Sequence, residues 1–389
     1  MDSIDKATTS SDPSSFGIRF DRNELAGAFG DIGTDFPLLV GMVLAAQLDS
    51  ASVLIMFGLM QIFSALIYRI PMPVQPLKAM AALVISQDIG GAILYGGGLA
   101  IGVSMLLLTV TGLIDWLARV IPKSVIRGIQ FGLGIQLAFL ALKDYVRADG
   151  GMGYALAALA FVLAIIFIRS RRYPAALFII ALGIVYAFAF KLNLIAFSER
   201  FGLSLPQPHL PGWKDVLTGF FFLTLPQIPL SLGNSVLATR QITEDLFPQL
   251  RLTVRKIGWT YSIMNLSVPF FGGVPVCHGS GGLAGHYAFG ARTGGSVVIY
   301  GMIYLILGLF FGAGFDQLFQ VFPLPILGVL LFFEGLTLML LVRDQVDCKT
   351  DFTIALIVGL MAGGLPYGYV IGIVVGTVLV YLARKYFAE

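Results

Sequence analysis

The stretch Phe270-Phe-Gly-Gly-Val-Pro-Val-Cys-His-Gly-Ser-Gly-Gly-Leu-Ala-Gly-His286 decides the fold of this chain. It contains six glycines and a proline, whereas Tyr261–Pro269 before it and Val297–Phe311 after it are largely apolar. The interruption therefore falls at membrane depth, where non-helical backbone is tolerated only inside protein or beside a wet cavity. Pro71-Met-Pro-Val-Gln-Pro-Leu-Lys78 is a similar interruption in the first half. Two interrupted segments in matching positions indicate a transporter's binding site.

Composition indicates a polytopic membrane protein. Of 389 residues, 57% are hydrophobic and 12% charged, about half the charged fraction of soluble domains. The net charge of +3 gives no reason to expect a nucleic-acid partner. The two cysteines, Cys277 and Cys348, provide neither a disulfide framework nor a metal-binding spacing, and no phosphate-binding loop is present. We therefore expect neither a cofactor nor an enzyme.

A membrane span needs about 20 apolar residues, and we predict an all-α protein with fourteen spans. Two of them are half-helices, each preceded by a short extended segment. The predicted spans are Leu25–Ala46, Ser52–Tyr68, Pro76–Gln87 (half), Ile93–Leu113, Val125–Leu142, Tyr154–Ile168, Pro174–Phe190, Val216–Thr239, Ile257–Pro269, Gly279–Phe289 (half), Ser296–Phe311, Phe319–Leu341, Phe352–Gly364 and Tyr367–Tyr386.

The fourteen predicted spans form two copies of seven. Each copy opens with a polar segment that contains glycine and proline, Gly30–Pro37 or Thr224–Asn234, and then reaches its interruption. Because seven is odd, the second copy enters the membrane from the opposite side, and the two copies form an inverted repeat.

The basic residues predict the orientation. Of the 25 lysines and arginines, nineteen fall on the side of the two termini. Five fall on the other side, and they are Lys143, Arg147, Lys191, Arg200 and Lys214. This bias predicts that both termini are cytoplasmic. Residues 1–23 are polar and have no apolar core, so we expect a disordered cytoplasmic tail rather than a signal peptide.

The two interruptions predict an anion site at the membrane midplane. In an inverted pair the N-termini of the half-helices face each other, and each offers unpaired N–H groups and a partial positive charge. Pro76 suits the first turn of the first half-helix, where its missing N–H is not needed. Gly279, Gly281 and Gly282 allow a ligand to approach the backbone of the second closely.

Charged side chains within the predicted spans are candidates for function, because a charge inside a membrane is costly unless it is paired. Lys78 is the only lysine or arginine placed within a span. It either binds the anion or forms a structural ion pair with Asp31 or Asp35. We expect Lys78→Ala to abolish uptake and to leave folding intact. Asp31, Asp35 and Glu334 are candidates for ion coupling.

Neutral polar groups surround the same interruptions. Gln75, Ser280, Gln227 and Asn234 either coordinate an oxyanion or satisfy backbone groups that the prolines leave free. His278 either donates to the anion or carries a coupled proton, because imidazole titrates near neutral pH. A structural hydrogen bond is the alternative for this histidine.

Five ordered motifs resemble the molybdate transporter family, which is related to the sulfate permeases. The resemblance runs from about Glu24 to the last span. The motifs are Gly30-Asp-Ile-Gly-Thr34, Pro71–Lys78, Leu225-Pro-Gln-Ile-Pro-Leu230 with Asn234-Ser, Asp245-Leu-Phe-Pro248, and Cys277-His-Gly-Ser-Gly-Gly-Leu-Ala-Gly285 with Phe289-Gly-Ala-Arg292.

This resemblance implies the seven-plus-seven inverted fold that is shared with nucleobase and sulfate transporters. It also implies a homodimer and the uptake of a tetrahedral oxyanion driven by protons. The expected divisions are a tail at 1–23, a core domain at 24–114 and 216–312, a gate domain at 115–190 and 313–389, and an extracellular linker at 191–215.

The resemblance also assigns a site, with Asp31 behind it. With Pro76 added from the half-helix geometry, the expected substrate-binding residues are Gln75, Pro76, Lys78, Gln227, Asn234, Cys277, His278, Gly279 and Ser280. We therefore expect a multi-pass protein of the plasma (inner) membrane that imports molybdate or a related oxyanion by alternating access. The alternatives are a sulfate transporter, a nucleobase or carboxylate transporter, and a passive anion channel.

Overall fold

A computed structural model describes residues 17–167, 174–191 and 202–386, and most of these residues are helical. Some predictions fall outside the described residues. They are the tail before residue 17, Ile168 with the basic residues at 169–172, residues 192–201 of the extracellular linker, which include Arg200, and residues 387–389.

The described elements form two successive series. The first is α1 (Arg22–Gly27), α2 (Ile32–Ala46), α3 (Ser50–Tyr68), β1 (Val74–Pro76), α4 (Lys78–Gln87), α5 (Gly91–Val110), α6 (Leu113–Val120), α7 (Lys123–Leu140), α8 (Gly150–Phe167) and α9 (Ala175–Tyr186). The second is α10 (Trp213–Leu246), α11 (Val254–Ser267), β2 (Val276–His278), α12 (Ser280–Ala288), α13 (Gly295–Val321), α14 (Leu324–Leu340), α15 (Lys349–Gly364) and α16 (Gly368–Tyr386).

Eight of the described helices are long and apolar enough to cross a membrane. They are Ser50–Tyr68, Gly91–Val110, Lys123–Tyr145, Gly150–Phe167, Trp213–Leu246, Gly295–Gly312, Leu324–Gln345 and Gly368–Tyr386. Ile32–Ala46 and Ala175–Lys191 are shorter apolar helices. The prediction of an all-helical polytopic membrane protein is thus confirmed. The count of fourteen spans and the inverted relation of the two halves stay predictions.

The two interruptions pair with each other as a short antiparallel ribbon of β1 and β2. The side-chain amide of Gln61 on α3 exchanges two hydrogen bonds with the backbone of Val74, at 2.7 and 2.9 Å. Asn265 on α11 does the same for Val276, at 2.7 and 2.9 Å. Because the bilayer core provides no water for strand edges, these two amides satisfy backbone groups that would otherwise be orphaned.

The half-helices begin directly after this ribbon, α4 at Lys78 and α12 at Ser280. The prediction that Pro76 begins the first half-helix is wrong, because Pro76 lies in β1. The N–H of Leu77 still donates to the carbonyl of Pro275 at 3.0 Å, and Leu77 is extended. The ribbon therefore continues past Pro76, and the helix starts two residues later.

Helix α10 is longer than predicted and is irregular in its middle. The predicted span was Val216–Thr239, whereas the helix covers Trp213–Leu246. Its α-helical turn Leu225–Leu230 contains Pro226 and Pro229 and lies between π-helical turns. A proline inside a helix removes an i→i−4 hydrogen bond, and π turns are a frequent accommodation at functional sites.

The packing divides the helices into two groups. Helix α3 lies against α13, and α5 lies against α10 and α11, whereas α7 lies against α14 and α15. Glycines allow close contact, since a Cβ on Gly58 would meet the carbonyl oxygen of Gly301 at 2.6 Å, as is common where membrane helices pack. The division of the chain into a core and a gate domain stays a prediction.

Candidate functional site

The predicted site residues lie around the β1–β2 ribbon, and most of them form polar contacts with one another. The contacts are Lys78 with Glu334, Gln75 with Asp31, and Ser280 with Asn234. Gln227 contacts the backbone at the start of α4. Since each of these groups is held by another part of the fold, the contacts decide which of them can meet a ligand.

Lys78 forms a short ion pair with Glu334. Its Nζ lies 2.8 Å from Glu334 Oε1, and the two side chains are only 11% and 4% exposed. The hydroxyl of Thr34 on α2 donates to the other carboxylate oxygen at 3.2 Å. An ion pair was the alternative that we left open for Lys78, but its expected partners, Asp31 and Asp35, were wrong. The pair joins α4 to α14, which are far apart in the sequence.

Asp31 and Gln75 form a second buried contact. Gln75 Nε2 donates to both carboxylate oxygens of Asp31, at 2.8 and 2.7 Å. Gln75 Oε1 is buried and has no hydrogen-bond partner among the described residues. A Cβ on Gly279 would lie within 3 Å of this amide, and a Cβ on Gly282 would collide with Asp31 and Pro73. Two of the three site glycines are therefore needed for packing, not for ligand approach.

Gln227 caps the first half-helix. Its Oε1 accepts hydrogen bonds from the backbone N–H groups of Ala79 at 2.9 Å and Met80 at 3.2 Å. Its Nε2 donates to Ser231 Oγ at 3.0 Å, which is 2.7 Å from the hydroxyl of Tyr261. Gln227 thus satisfies backbone groups, although these belong to α4 and not to the proline-containing helix. Two amides at the start of α4 are consequently not free for a ligand.

The start of the second half-helix remains open. The N–H groups of Ser280, Gly281 and Gly282 donate to no acceptor among the described residues, as is usual for the first turn of a helix. Gly281 is exposed, and a Cβ added to it would meet nothing within 4 Å. The hydroxyl of Ser280 donates to Asn234 Oδ1 at 3.2 Å. These residues therefore form a set of donors beside open space, which favours an anion.

His278 is turned into the protein. Its Nε2 lies 2.7 Å from the hydroxyl of Thr260, and its Nδ1 lies 3.5 Å from Ser64 Oγ. The ring of Tyr68 packs edge-on against it, 5.0 Å between centroids. Both ring nitrogens are thus near hydroxyls of α3 and α11, which agrees with a structural hydrogen bond. Its neighbour Cys277 is also buried, and it lies opposite Gln75 in the ribbon.

Asp31 and Asp35 lie four positions apart, yet they contact different elements. Asp35 Oδ2 accepts a hydrogen bond from the hydroxyl of Tyr300 on α13 at 3.1 Å, and Tyr300 lies 3.0 Å from the hydroxyl of Tyr304. The other oxygen of Asp35 is buried and has no partner among the described residues. Asp31 therefore contacts the ribbon, whereas Asp35 contacts α13.

A cavity of about 430 Å³ reaches this region. Gly30, Gly33 and Thr34 of the α2 region line it, and so does Glu334 on α14. Its other lining residues include Phe167, Pro174, Phe289 and Leu340. These lie at or beside ends of α8, α9, α12 and α14 that were predicted to face the cytoplasm. Glu334 thus lies between this cavity and Lys78.

Several residues that hold the site were not predicted. Gln61 and Asn265 fix the ribbon, Tyr300 binds Asp35, and Thr34 binds Glu334. A signal existed for the first two, because each is an amide within a largely apolar span, 13 or 11 residues before the strand residue that it binds. Among the described residues, no group of three or more His, Cys, Asp or Glu side chains is placed to hold a metal ion.

Comparisons of the sequence identify relatives over most of the chain. A family model described as the molybdate transporter of the MFS superfamily matches residues 23–137 and 219–338. Molybdate transporter 2 of Arabidopsis thaliana is 35% identical over 402 residues, which cover 90% of this chain and 86% of that protein. Molybdate transporter 1 of Chlamydomonas reinhardtii is 28% identical and covers 90% of each chain. These relatives are transporters and not enzymes.

Comparisons of the structure identify the fold. The transmembrane domain of the cyanobacterial bicarbonate transporter BicA superposes with a TM-score of 0.62 at 17% identity, covering 88% of this chain and 97% of that one. The murine Slc26a9 anion transporter in the inward-facing state gives a TM-score of 0.72 at 12% identity, covering 97% and 70%. At such low identity the likeness concerns the fold alone, which is that of Solute Carrier 26 transporters.

Proposed function

We propose that this chain, which belongs to the molybdate transporter family, is a secondary active transporter that imports molybdate or a related tetrahedral oxyanion. The observation that carries the proposal is the open N-terminus of α12. The N–H groups of Ser280, Gly281 and Gly282 have no acceptor there among the described residues, and Gly281 is exposed. A helix N-terminus with free amides attracts anions. The substrate named for the sequence relatives is of this chemical class.

The contacts around the ribbon revise the site that we propose. The substrate would bind the backbone of Ser280 and Gly281, the side chains of Ser280 and Asn234, and the ammonium of Lys78. Three residues of the predicted set receive supporting roles instead. Gln227 holds the start of α4, His278 holds the ribbon against α3 and α11, and Gly279 makes room for Gln75.

Transport by this protein would proceed by alternating access. In the proposed motion, α2–α5 with α10–α13 form the core that carries the substrate, and α7–α9 with α14–α16 form the gate. Residues of both groups line the 430 Å³ cavity, and the Lys78–Glu334 pair crosses between them. We further propose that the carrier is a homodimer of the plasma membrane with both termini in the cytoplasm, and that protons drive uptake through Asp31, Asp35 or Glu334.

Purified protein in liposomes tests the substrate and the mode of transport together. We expect saturable molybdate uptake that an inward proton gradient accelerates, with counterflow when unlabelled molybdate is loaded inside. Competition with sulfate, fumarate and uracil then separates the substrate classes. Preference for uracil or fumarate would contradict an oxyanion carrier. Linear currents without saturation or counterflow would indicate a passive channel.

A further inference from the structure

We infer that in the empty carrier the carboxylate of Glu334 occupies the position on Lys78 that the substrate takes when it binds. Molybdate then displaces Glu334, and the displaced carboxylate takes up a proton. One proton then enters the site with each oxyanion. This inference rests on the proposed function. It specifies which carboxylate couples protons to transport and how substrate binding triggers the coupling.

The geometry makes Glu334 a built-in competitor of the substrate. Its carboxylate is an oxyanion on a side chain of the gate helix α14, and it binds the ammonium of Lys78 at 2.8 Å. Lys78 is the first residue of α4. The ammonium of this lysine attracts negative charge. A free oxyanion that binds Lys78 must therefore displace Glu334 or share the ammonium with it.

Charge balance decides between displacement and sharing. Among the described residues, the titratable groups that interact electrostatically with the pair include Asp31 at the N-cap of α2, Asp35 on α2 and the Cys277 thiol on β2, and none of these three is a cation. A dianion beside an ionised Glu334 would place three negative charges against one ammonium in a region of low dielectric, where like charges repel strongly. If Glu334 accepts a proton, one of these charges is removed. No covalent bond to the substrate forms, and Lys78 keeps its own proton.

Glu334 is also the carboxylate with a route for protons. It lines the 430 Å³ cavity, so a proton can pass from water in that cavity to its carboxylate oxygen. Asp31 and Asp35 do not line this cavity. Asp31 is bound through both oxygens to Gln75, and Asp35 is bound to Tyr300. The proton that follows the substrate is therefore assigned to Glu334.

Calorimetry of molybdate binding to the purified protein, in two buffers of different ionisation enthalpy, measures the protons taken up. For the native protein we expect about one proton per molybdate, with the apparent Kd rising up to about tenfold per pH unit above neutrality, because linkage is reciprocal. Glu334→Gln mimics the protonated acid. It should bind molybdate with a pH-independent Kd, should take up no proton, and should catalyse molybdate exchange in liposomes without responding to a pH gradient.

Two further variants serve as controls. Glu244→Gln removes the carboxylate from a 2.8 Å ion pair with Arg240 that lies outside the site and is exposed, and it should behave as the native protein does. Asp31→Asn removes the carboxylate that binds Gln75, and it should keep the proton uptake. If Glu334→Gln does not fold, Glu334→Asp replaces it. Its shorter side chain should compete less well for Lys78, so this variant protein should bind molybdate roughly tenfold more tightly at pH 8.

The outcomes separate the two proposals. If the native protein binds molybdate but Glu334→Gln still takes up a proton, or if Glu334→Asp binds as the native protein does at every pH, the inference is wrong and the proposed function stands. Native protein that binds no molybdate or sulfate under any condition contradicts the proposed function itself.

Discussion

At the scale of single residues, the ion pair of Lys78 changes what a substitution there should do. Lys78 and Glu334 are both largely buried, so removal of one leaves the other as an unpaired charge. We therefore predict that Lys78→Ala destabilises the protein by about 3–5 kcal/mol, in addition to abolishing molybdate uptake. From the sequence alone we expect folding to stay intact, because the sequence does not identify Glu334 on α14 as the partner of Lys78.

Thermal unfolding of the purified variants measures this prediction. The double variant Lys78→Ala/Glu334→Gln carries no unpaired charge, so it should recover most of the lost stability while uptake stays absent. A single variant that unfolds at the same temperature as the native protein would mean that Glu334 finds another partner or is hydrated.

The two neighbouring glycines at the start of α12 provide a matched pair. A Cβ at Gly281 meets nothing, whereas a Cβ at Gly282 would lie 2.9 Å or less from Asp31 and Pro73. We predict that Gly281→Ala folds normally but weakens molybdate binding about tenfold, because its methyl group partly covers the free amides. Gly282→Ala should cost about 1–3 kcal/mol of stability through overpacking.

Binding calorimetry and thermal unfolding on both variants distinguish these effects. If Gly281→Ala binds molybdate with unchanged affinity, the amides at the start of α12 are not the substrate contact, and the proposed site must be moved.

At the scale of elements, the side chain of Gln227 on α10 acts as the cap of α4. It replaces the capping residue that α4 lacks, because Leu77 at the N-cap has no side-chain acceptor. We predict that Gln227→Leu destabilises the protein by roughly 1–3 kcal/mol, since two buried amides lose their acceptor. Gln87→Leu, at the exposed far end of the same helix, should change stability by no more than about 0.5 kcal/mol.

Denaturation of the two variants in matched detergent compares them directly. Equal stability for Gln227→Leu and Gln87→Leu would show that the backbone of α4 does not depend on α10. Hydrogen exchange at Ala79 and Met80 adds a local measure, because their protection should fall in Gln227→Leu alone.

At the scale of the whole molecule, the site joins distant parts of the chain. Residues that meet there come from α2, the ribbon, α4, α10, α12 and α14. A ligand bound among them should therefore stabilise the fold as a unit. We predict that molybdate at 100 times its Kd raises the free energy of unfolding by about 2.7 kcal/mol.

The shift in unfolding temperature on addition of molybdate measures this effect. Sulfate has the same charge and shape and should act more weakly, while uracil should produce no shift. A larger shift with sulfate at equal concentration would favour the alternative of a sulfate transporter.

The sequence by itself determined the class of the protein and the place of its site. Apolar spans of about 20 residues are local patterns, and so are the proline- and glycine-rich interruptions between them. Polar residues inside such spans must be paired or functional, which is why Lys78, Asp31, Gln227 and Glu334 could be singled out. The motifs that resemble the molybdate transporters led to the same region.

Only the tertiary structure decided which polar group meets which. Lys78 lies 256 positions from Glu334, and the cap of Gln227 reaches back 148 positions to Ala79. Hydropathy and residue type do not specify a partner at such separations, because any buried acceptor lowers the cost of a buried donor equally well. The choice depends on how α4, α10 and α14 pack, and this packing leaves the start of α12 open while it closes the start of α4.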